Sequence, residues 1–210
     1  MHVITVSRQF GSGGRELGKR LADILGWDYY DKEIIEKLAD ERGMNPDHVR
    51  HLLSHHGWHT YQLTYRNSFS HIGFSHAERT EMLVRQREVI REIAETGNNC
   101  IIVGRDADVI LKEYDPFRIF VCADMESRLK RCMAFERKKP PEQQLTERVV
   151  LKNIKRIDKF RMRTREIVTG KHRSDSSMFD LILNTAGWSM KPLSEAAAGF
   201  SLRWFAGRED

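Results

Sequence analysis

The chain carries only three cysteines in 210 residues, and Cys100, Cys122 and Cys132 match no metal-ligand spacing. Cys100 and Cys122 stand inside apolar runs, so buried free thiols in a reducing compartment are expected rather than a disulfide framework. No apolar run exceeds the length of a strand, which leaves no candidate for a membrane-spanning helix. The first residues lead straight into an apolar segment, without the basic stretch, apolar stretch and cleavage site of a secretory leader, and a cytoplasmic location is the expectation. Internal repeats, low-complexity tracts and an H-E-x-x-H metal pattern are also absent. The residues are 40% hydrophobic and 31% charged, an ordinary globular balance that supports one well-buried core with room for a smaller inserted lobe.

Charge is biased to one sign. The formal net charge is +5, and most of the surplus lies between Arg128 and Arg173. Nucleic-acid binding and a grip on a small phosphorylated substrate would each produce this bias. No nucleic-acid motif accompanies it, so a polynucleotide partner, contacted through the basic helix 145–165, ranks lowest.

Five short segments read as strands: Val3–Ser7, Trp27–Tyr30, Cys100–Gly104, Arg118–Ala123 and Leu181–Asn184. Most are near-continuous apolar runs, which suits a parallel sheet covered on both faces. Between them, Glu16 to Leu25 places Leu17, Leu21, Ile24 and Leu25 on one helical face and stops at Gly26. Glu81 to Thr96 repeats apolar residues at Leu83, Ile90, Ile93 and Ala94, and Met125 to Arg137 carries Leu129, Cys132 and Met133 on one stripe. The alternation predicts a three-layer α/β fold around a five-stranded parallel sheet. Spacing divides it into a core of residues 1–31 and 99–210, a helical insert over 32–98 and a short lid over 132–148. Within the insert, Asn45-Pro46 carries a helix-start signature.

The most informative stretch is Val3-Ile4-Thr5-Val6-Ser7-Arg8-Gln9-Phe10-Gly11-Ser12-Gly13-Gly14-Arg15-Glu16. A strand runs into a glycine-rich turn and then a helix, the order that closes backbone N–H groups around an anion. Anchoring the pattern G-x-x-x-x-G-K-[ST] on Gly13 puts Arg8 at the first glycine, Gly14 at the lysine and Arg15 at the hydroxyl residue. Shifting by one makes Arg15 the lysine surrogate and Glu16 the metal-ligand position. Arg8 or Arg15 would have to supply the missing charge. A dinucleotide site competes, because Gly11, Gly13 and Gly18 form a loose G-x-G-x-x-x-x-G with Asp31 at a ribose-binding interval. A turn with a purely structural role is the third reading.

Taken together, T-V-S-R-Q-F-G-S-G-G-R-E-L-G-K-R-L-A, W-D-Y-Y-D-K-E-I-I, I-I-V-G-R-D-A-D-V-I-L, F-V-C-A-D-M-E-S-R-L-K-R, I-D-K-F-R and F-D-L-I-L-N-T resemble the cytidylate kinase-like proteins, a nucleoside monophosphate kinase branch of the P-loop fold. The resemblance covers nearly the whole chain, least clearly at His55–His76. It implies a phosphotransferase using ATP and Mg²⁺ on small-molecule nucleotide substrates, with neither nucleic acid nor membrane as partner and CMP as the candidate acceptor. Arg8, Phe10, Gly11, Ser12, Gly13, Gly14, Arg15 and Glu16 would hold the nucleotide phosphates. By the same resemblance, Arg105 would hold the acceptor's monophosphate and Asp106 its nucleoside, or a Mg²⁺ ion through water. Asp31 would orient acceptor or metal. Asp158 and Arg161, three residues apart on one helical face, would contact acceptor and transferring phosphate.

Each assignment has a plainer counterpart. Gly104-Arg105-Asp106 would also close a helix start as an ion pair, and Asp158–Arg161 would also form a solvated salt bridge. Arg128 and Arg131, one turn apart beside the lid, would touch ATP on closure or belong to an exposed basic face with Lys130, Lys138 and Lys139. His48, His51, His55, His56 and His59 read as a polar face rather than a metal site, and no metal-ligand set is assigned. Trp58, Tyr61, Tyr65 and Phe69 read as packing before base stacking, and Trp204-Phe205 as a docking helix end or a contact in a homo-oligomer. The lost lysine motivates one rival to the kinase, a catalytically weak nucleotide- or phosphate-binding sensor.

Overall fold

The structure is a computed structural model that describes residues 1–45, 47–49, 53, 76–169 and 176–208. Its sheet has five strands in the order β2-β3-β1-β4-β5: β1 Val3–Arg8, β2 Asp28–Tyr30, β3 Cys100–Val103, β4 Phe117–Cys122 and β5 Leu181–Asn184. Every pairing is parallel, with Val6 beside Val103 and Arg8 beside Val121. All of β3 and the first four residues of β1 are buried, as their unbroken apolar character predicts. β5 alternates instead and leaves Ile182 exposed at the sheet edge. The connection leaving β1 runs toward one edge and that leaving β4 toward the other. Their carboxyl ends therefore flank a topological switch point, where open α/β sheets form a ligand crevice.

Among the described residues the helices are α1 Gly14–Leu25, α2 Lys32–Met44, α3 His76–Glu95, α4 Ala107–Ile110, α5 Met125–Glu136, α6 Glu147–Thr169 and α7 Met190–Ala206, and residues 47–49 are helical as well. In α1, Leu17, Leu21 and Ala22 are buried, and Gly18 lets the helix close on β3, where a Cβ would lie 2.5 Å from Val103 Cγ2. Ile24, expected on the same face, is exposed: the buried stripe of α1 is narrower than the apolar pattern and runs through Leu17, Leu21 and Ala22. The helix α3 begins before Glu81, and its buried stripe is Gln86, Val89, Ile90, Ile93 and Ala94, with Leu83 facing out. Both α2 and α3 pack on each other and share the one core with the sheet. At Asn45 the expected cap is present, for the His48 N–H donates to Asn45 Oδ1 at 3.1 Å.

Cys100, Cys122 and Cys132 are free thiols. Cys100 is buried, which pushes its thiol up to about 12, whereas Cys122 is only half-buried because it ends a strand near the sheet edge. Among the described residues no helix is long and apolar enough to cross a membrane. At the amino edge of the sheet, His2, Trp27, Phe117, Trp204 and Phe205 stack into one aromatic cluster that docks the end of α7.

Candidate phosphate-binding site

The turn between β1 and α1 is tied to the rest of the sheet along its whole length. Gln9 N–H donates to Val121 O at 3.0 Å, and Gln9 Oε1 accepts from Ala123 N–H at 3.1 Å. Ser12 is fully buried, and its hydroxyl lies 2.8 Å from Gln9 O and 3.0 Å from Val121 O. Thr185, just past β5, donates its hydroxyl to Ser12 O at 2.7 Å. Gly11 and Gly13 both have positive φ, 80° and 86°, and Gly13 caps α1 in the left-handed conformation that side chains disfavour. At Gly11 a Cβ would lie 2.9 Å from Arg128 O and 3.0 Å from Cys132 Sγ, so α5 presses directly on the loop. The result is a rigid glycine turn at the start of a helix, the form of an anion cradle.

Charged side chains gather beside it from several elements. Asp31 ends β2 and caps α2, accepting from Glu33 N–H at 2.9 Å and Ile34 N–H at 3.2 Å. Its other oxygen lies 2.5 Å from Arg15 Nη2, and Arg15 Nη1 lies 3.0 Å from Glu33. Burial pulls the Arg15 guanidinium down, but the Glu33 hydrogen bond and the charges of Asp31 and Glu33 outweigh it, and the net shift is upward. Glu16 faces the other way, exposed and paired with Arg20 at 2.9 Å.

Past β3 the backbone is unusual. Gly104, Arg105 and Asp106 have φ of 86°, 61° and 52°, three successive residues in the left-handed region. Non-glycine residues adopt it at a cost, and clusters of such residues concentrate at functional sites. This turn drives the Arg105 guanidinium inward to pair with Glu36 of α2, while its Nε is buried with no hydrogen-bond partner. Burial, followed by the nearby Arg8 charge, lowers the Arg105 pKa. Asp106 caps nothing, and its carboxylate lies 3.5 Å from Arg165, which also forms a buried two-pronged pair with Asp108 at 3.0 and 2.5 Å.

From α6, Arg161 donates to Arg8 O at 3.2 Å, stands over the Phe10 ring at 5.6 Å and is 4.0 Å from Asp158. Asp158 itself accepts from the Phe10 N–H at 2.8 Å and pairs with Arg128. The exposed basic face expected around Arg128 is therefore broken: Arg128 is 4% exposed, and its Nε donates to Phe10 O at 2.7 Å. A backbone carbonyl and a carboxylate draw it under the loop. Arg131 is likewise bound, to Thr185 O at 2.6 Å and Thr185 Oγ1 at 3.0 Å.

The structure thus brings Arg8, Phe10, Arg15, Asp31, Arg105, Asp106, Asp158 and Arg161 to one edge of the sheet and turns Glu16 away. Sequence reasoning missed Lys32. Buried first by its own packing and then set against the charges of Arg105, Arg161 and Arg8, its ammonium is lowered to about 7. Its Nζ is 3.6 Å from Glu36. Its one sequence signal was its position, directly after the strand-end Asp31. Arg165 and Asp108 were also missed, since nothing in their spacing announces a contact between α6 and α4. No group of three or more potential metal ligands occurs among the described residues. His51, His55, His56, His59, Trp58, Tyr61, Tyr65 and Phe69 lie outside the described residues.

Comparison with known proteins bears on the family and the fold. A model of the cytidylate kinase-like family matches residues 3–187. A cytidylate kinase from Haloarcula marismortui is 28% identical over 89% of this chain and 82% of its own length. In fold, an uncharacterized protein from Eubacterium ventriosum superposes with a TM-score of 0.69 at 21% identity, covering 96% of this chain and 98% of that one. Shikimate kinase from Bacteroides thetaiotaomicron superposes with a TM-score of 0.53 at 15% identity, covering 95% and 97%.

Proposed function

The chain belongs to the cytidylate kinase-like family, and from that premise we propose that it moves the γ-phosphoryl group of ATP to a small anionic acceptor, with CMP the first candidate. One observation carries the reading: Arg8, Lys32, Arg105 and Arg161 converge on the glycine turn from β1, α2, the end of β3 and α6. Burying like charges together is costly; Glu36 offsets part of that cost by pairing with Lys32 and Arg105, and an anion entering among the four would offset more. At Lys32 the cost is visible, because the surrounding arginines and burial lower an ordinary ammonium to about 7.

The turn Gly11–Gly14 is shaped for the nucleotide phosphates, and Arg105 with Lys32 for the acceptor's anionic group. Arg161, held on the loop at Arg8 O, is placed for the charge that spreads over the transferring phosphoryl oxygens. Mg²⁺ would neutralise the nucleotide phosphates when bound. Of the two strand-end carboxylates, Asp31 caps α2 and pairs with Arg15, whereas Asp106 lies 3.5 Å from Arg165. Asp106 would hold such an ion through water, as a carboxylate placed just after a buried strand does. Arg15, tied to Asp31 and Glu33, holds α1 against α2 rather than standing as a lysine surrogate. The lid, residues 132–148, would close over this edge, and within it Glu136 clasps Lys139 at 2.6 Å and Leu145 N–H at 3.0 Å. In-line transfer needs no protein nucleophile, so positioning and charge are the protein's whole contribution.

Calorimetric titration with ATP and Mg²⁺, followed by a coupled assay across a panel of nucleoside monophosphates, tests this. Binding with turnover on one monophosphate is the expected result. Binding of ATP without turnover on any acceptor would favour the sensor, and no ATP binding would sink both.

A further inference from the structure

In a standard phosphate loop the lysine occupies the first turn of the helix and reaches back to the β- and γ-phosphates. That position is Gly14 here, the first residue of α1. A Cβ on Gly14 would lie 2.7 Å from Arg8 Cβ, 3.0 Å from Arg8 Cγ and 3.4 Å from Val121 Cβ. The first contact is shorter than packed carbons tolerate, so no side chain fits at 14 while Arg8 is present. The backbone at Gly14 is helical and would take any residue, and glycine there forfeits helix propensity. Room for Arg8 is what the glycine supplies.

Arg8 completes the relation from the other side. It stands where the pattern has its first glycine, and its stem runs past Gly14 to a guanidinium that ends against Gly104. A Cβ on Gly104 would meet Arg8 Nη1, with Cζ at 2.8 Å and Nη2 at 3.1 Å. The Arg8 side chain therefore lies in a channel with a glycine at its stem and a glycine at its head. Its charge is delivered to the edge where Asp31, Arg15, Tyr29 and Asp106 act on it and where Arg105 adjoins it. Arg15, the rival source of charge, is spent on Asp31 and Glu33.

We propose that Arg8 and Gly14 have exchanged the two loop positions: the cation that grips the terminal phosphates comes from the last residue of β1, through the space Gly14 leaves, in place of a lysine on α1. This rests on reading the turn as the cradle for a nucleoside triphosphate. The exchange also changes the contact, because a planar guanidinium fork binds two phosphate oxygens at once where an ammonium is a point charge. It makes residues 8 and 14 an interdependent pair, so each single change is harmful and the paired change is not.

The test uses the full chain and four variants, Gly14→Lys, Arg8→Gly, Arg8→Met and Arg8→Gly/Gly14→Lys. Each is followed by thermal melting and by calorimetry with ATP and with inorganic tripolyphosphate. Gly14→Lys melts below wild type, and the double variant recovers the loss. Arg8→Met keeps the stem and melts near wild type but binds ATP and tripolyphosphate at least about tenfold more weakly, the loss of one charged contact. Arg8→Gly is as weak, and the double variant regains most of the affinity. Wild-type affinity in Arg8→Met, or a double variant no better than the worse single one, overturns the exchange. Wild-type protein that holds tripolyphosphate through Arg8 but not ATP leaves the exchange standing and overturns the nucleotide reading alone. Binding of neither ligand by wild type overturns both.

Discussion

The two edges of the sheet are built on opposite principles. At the amino edge, His2, Trp27, Phe117, Trp204 and Phe205 stack ring on ring, with Phe117 fully buried and the backbone in ordinary conformations. At the carboxyl edge, Gly104, Arg105 and Asp106 take left-handed backbone, and guanidinium groups crowd together below the surface. One edge relieves every cost it creates by burying apolar surface. The other buries cations close together, and burial lowers the pKa of Arg8, Lys32 and Arg105 in spite of the carboxylates among them. Stability resides in the first and binding in the second, as expected when local rules are broken only where function requires it.

The sharpest way to separate them starts at the amino edge. Phe117→Ala removes a fully buried ring that touches Phe200, Trp204 and Phe205. It is expected to cost about 3–5 kcal/mol of folding stability, read as a lower midpoint in urea. Ligand affinity per folded molecule should be unchanged, and a large change would show that the edges are coupled. Arg161→Ala is the converse. Its loss should lower the phosphoryl-transfer rate about 10²- to 10³-fold, measured as kcat on the acceptor found, as for removal of a preorganised donor. The melting temperature should move far less than in Phe117→Ala, since the Arg161 contacts with Arg8 O, the Phe10 ring and Asp158 are partly solvent-exposed. A rate near wild type would return Arg161 to the salt bridge that its spacing from Asp158 also allowed.

Within the carboxyl edge, just past β5, stands Thr185, whose hydroxyl donates to Ser12 O at 2.7 Å and lies 3.0 Å from Arg131. Thr185→Val keeps the shape and the backbone bond from Arg131 but removes the hydroxyl's bonds to Ser12 O and Arg131 Nη1, and about 1–3 kcal/mol of stability should be lost. Because the loop is the affected element, ATP affinity should fall with it, unlike in Phe117→Ala. Thr185→Ser, which keeps the hydroxyl, should restore most of both.

The strands and the glycine-stopped helix α1 were legible in the sequence, because apolar runs and glycine stops act through local geometry, whereas Trp204-Phe205 read only as a docking helix end or an oligomer contact. The strand ends at Asp31 and Gly104-Arg105-Asp106 were legible for the same reason, as charges placed where an apolar run stops. Three things were not. Arg128 reads as part of a basic face, and only the fold reveals that Phe10 O and Asp158 pull it inward. Arg165 and Asp108 are 57 residues apart, and their pairing follows from how α6 crosses α4. Lys32 reads as an unremarkable residue in the first turn of a helix until Arg8, Arg105 and Arg161 arrive from other elements. Periodicity reports which face of a helix is buried. It does not report which distant charges will share the site.

Lys32 supplies the finest test of the contrast, because its effect reverses with the property measured. Its ammonium titrates at about 7 in the folded protein, against the ordinary value of 10.5 in the unfolded chain. Between those values the unfolded chain holds a proton that the folded chain has released, so this group makes stability rise with pH. The contribution is complete above 10.5 and is lost as pH falls through 7. Lys32→Met removes the buried charge, and it should flatten that slope and raise the melting temperature most near pH 6. The same substitution should weaken the acceptor, since an entering dianion restores the reason for Lys32 to hold its proton. Binding by wild type near pH 8 should therefore take up a proton, seen as a heat that varies with the ionisation enthalpy of the buffer. In Lys32→Met that uptake should fall. A variant that is both less stable near pH 6 and unchanged in proton uptake would move Lys32 out of the site and into the packing of α2.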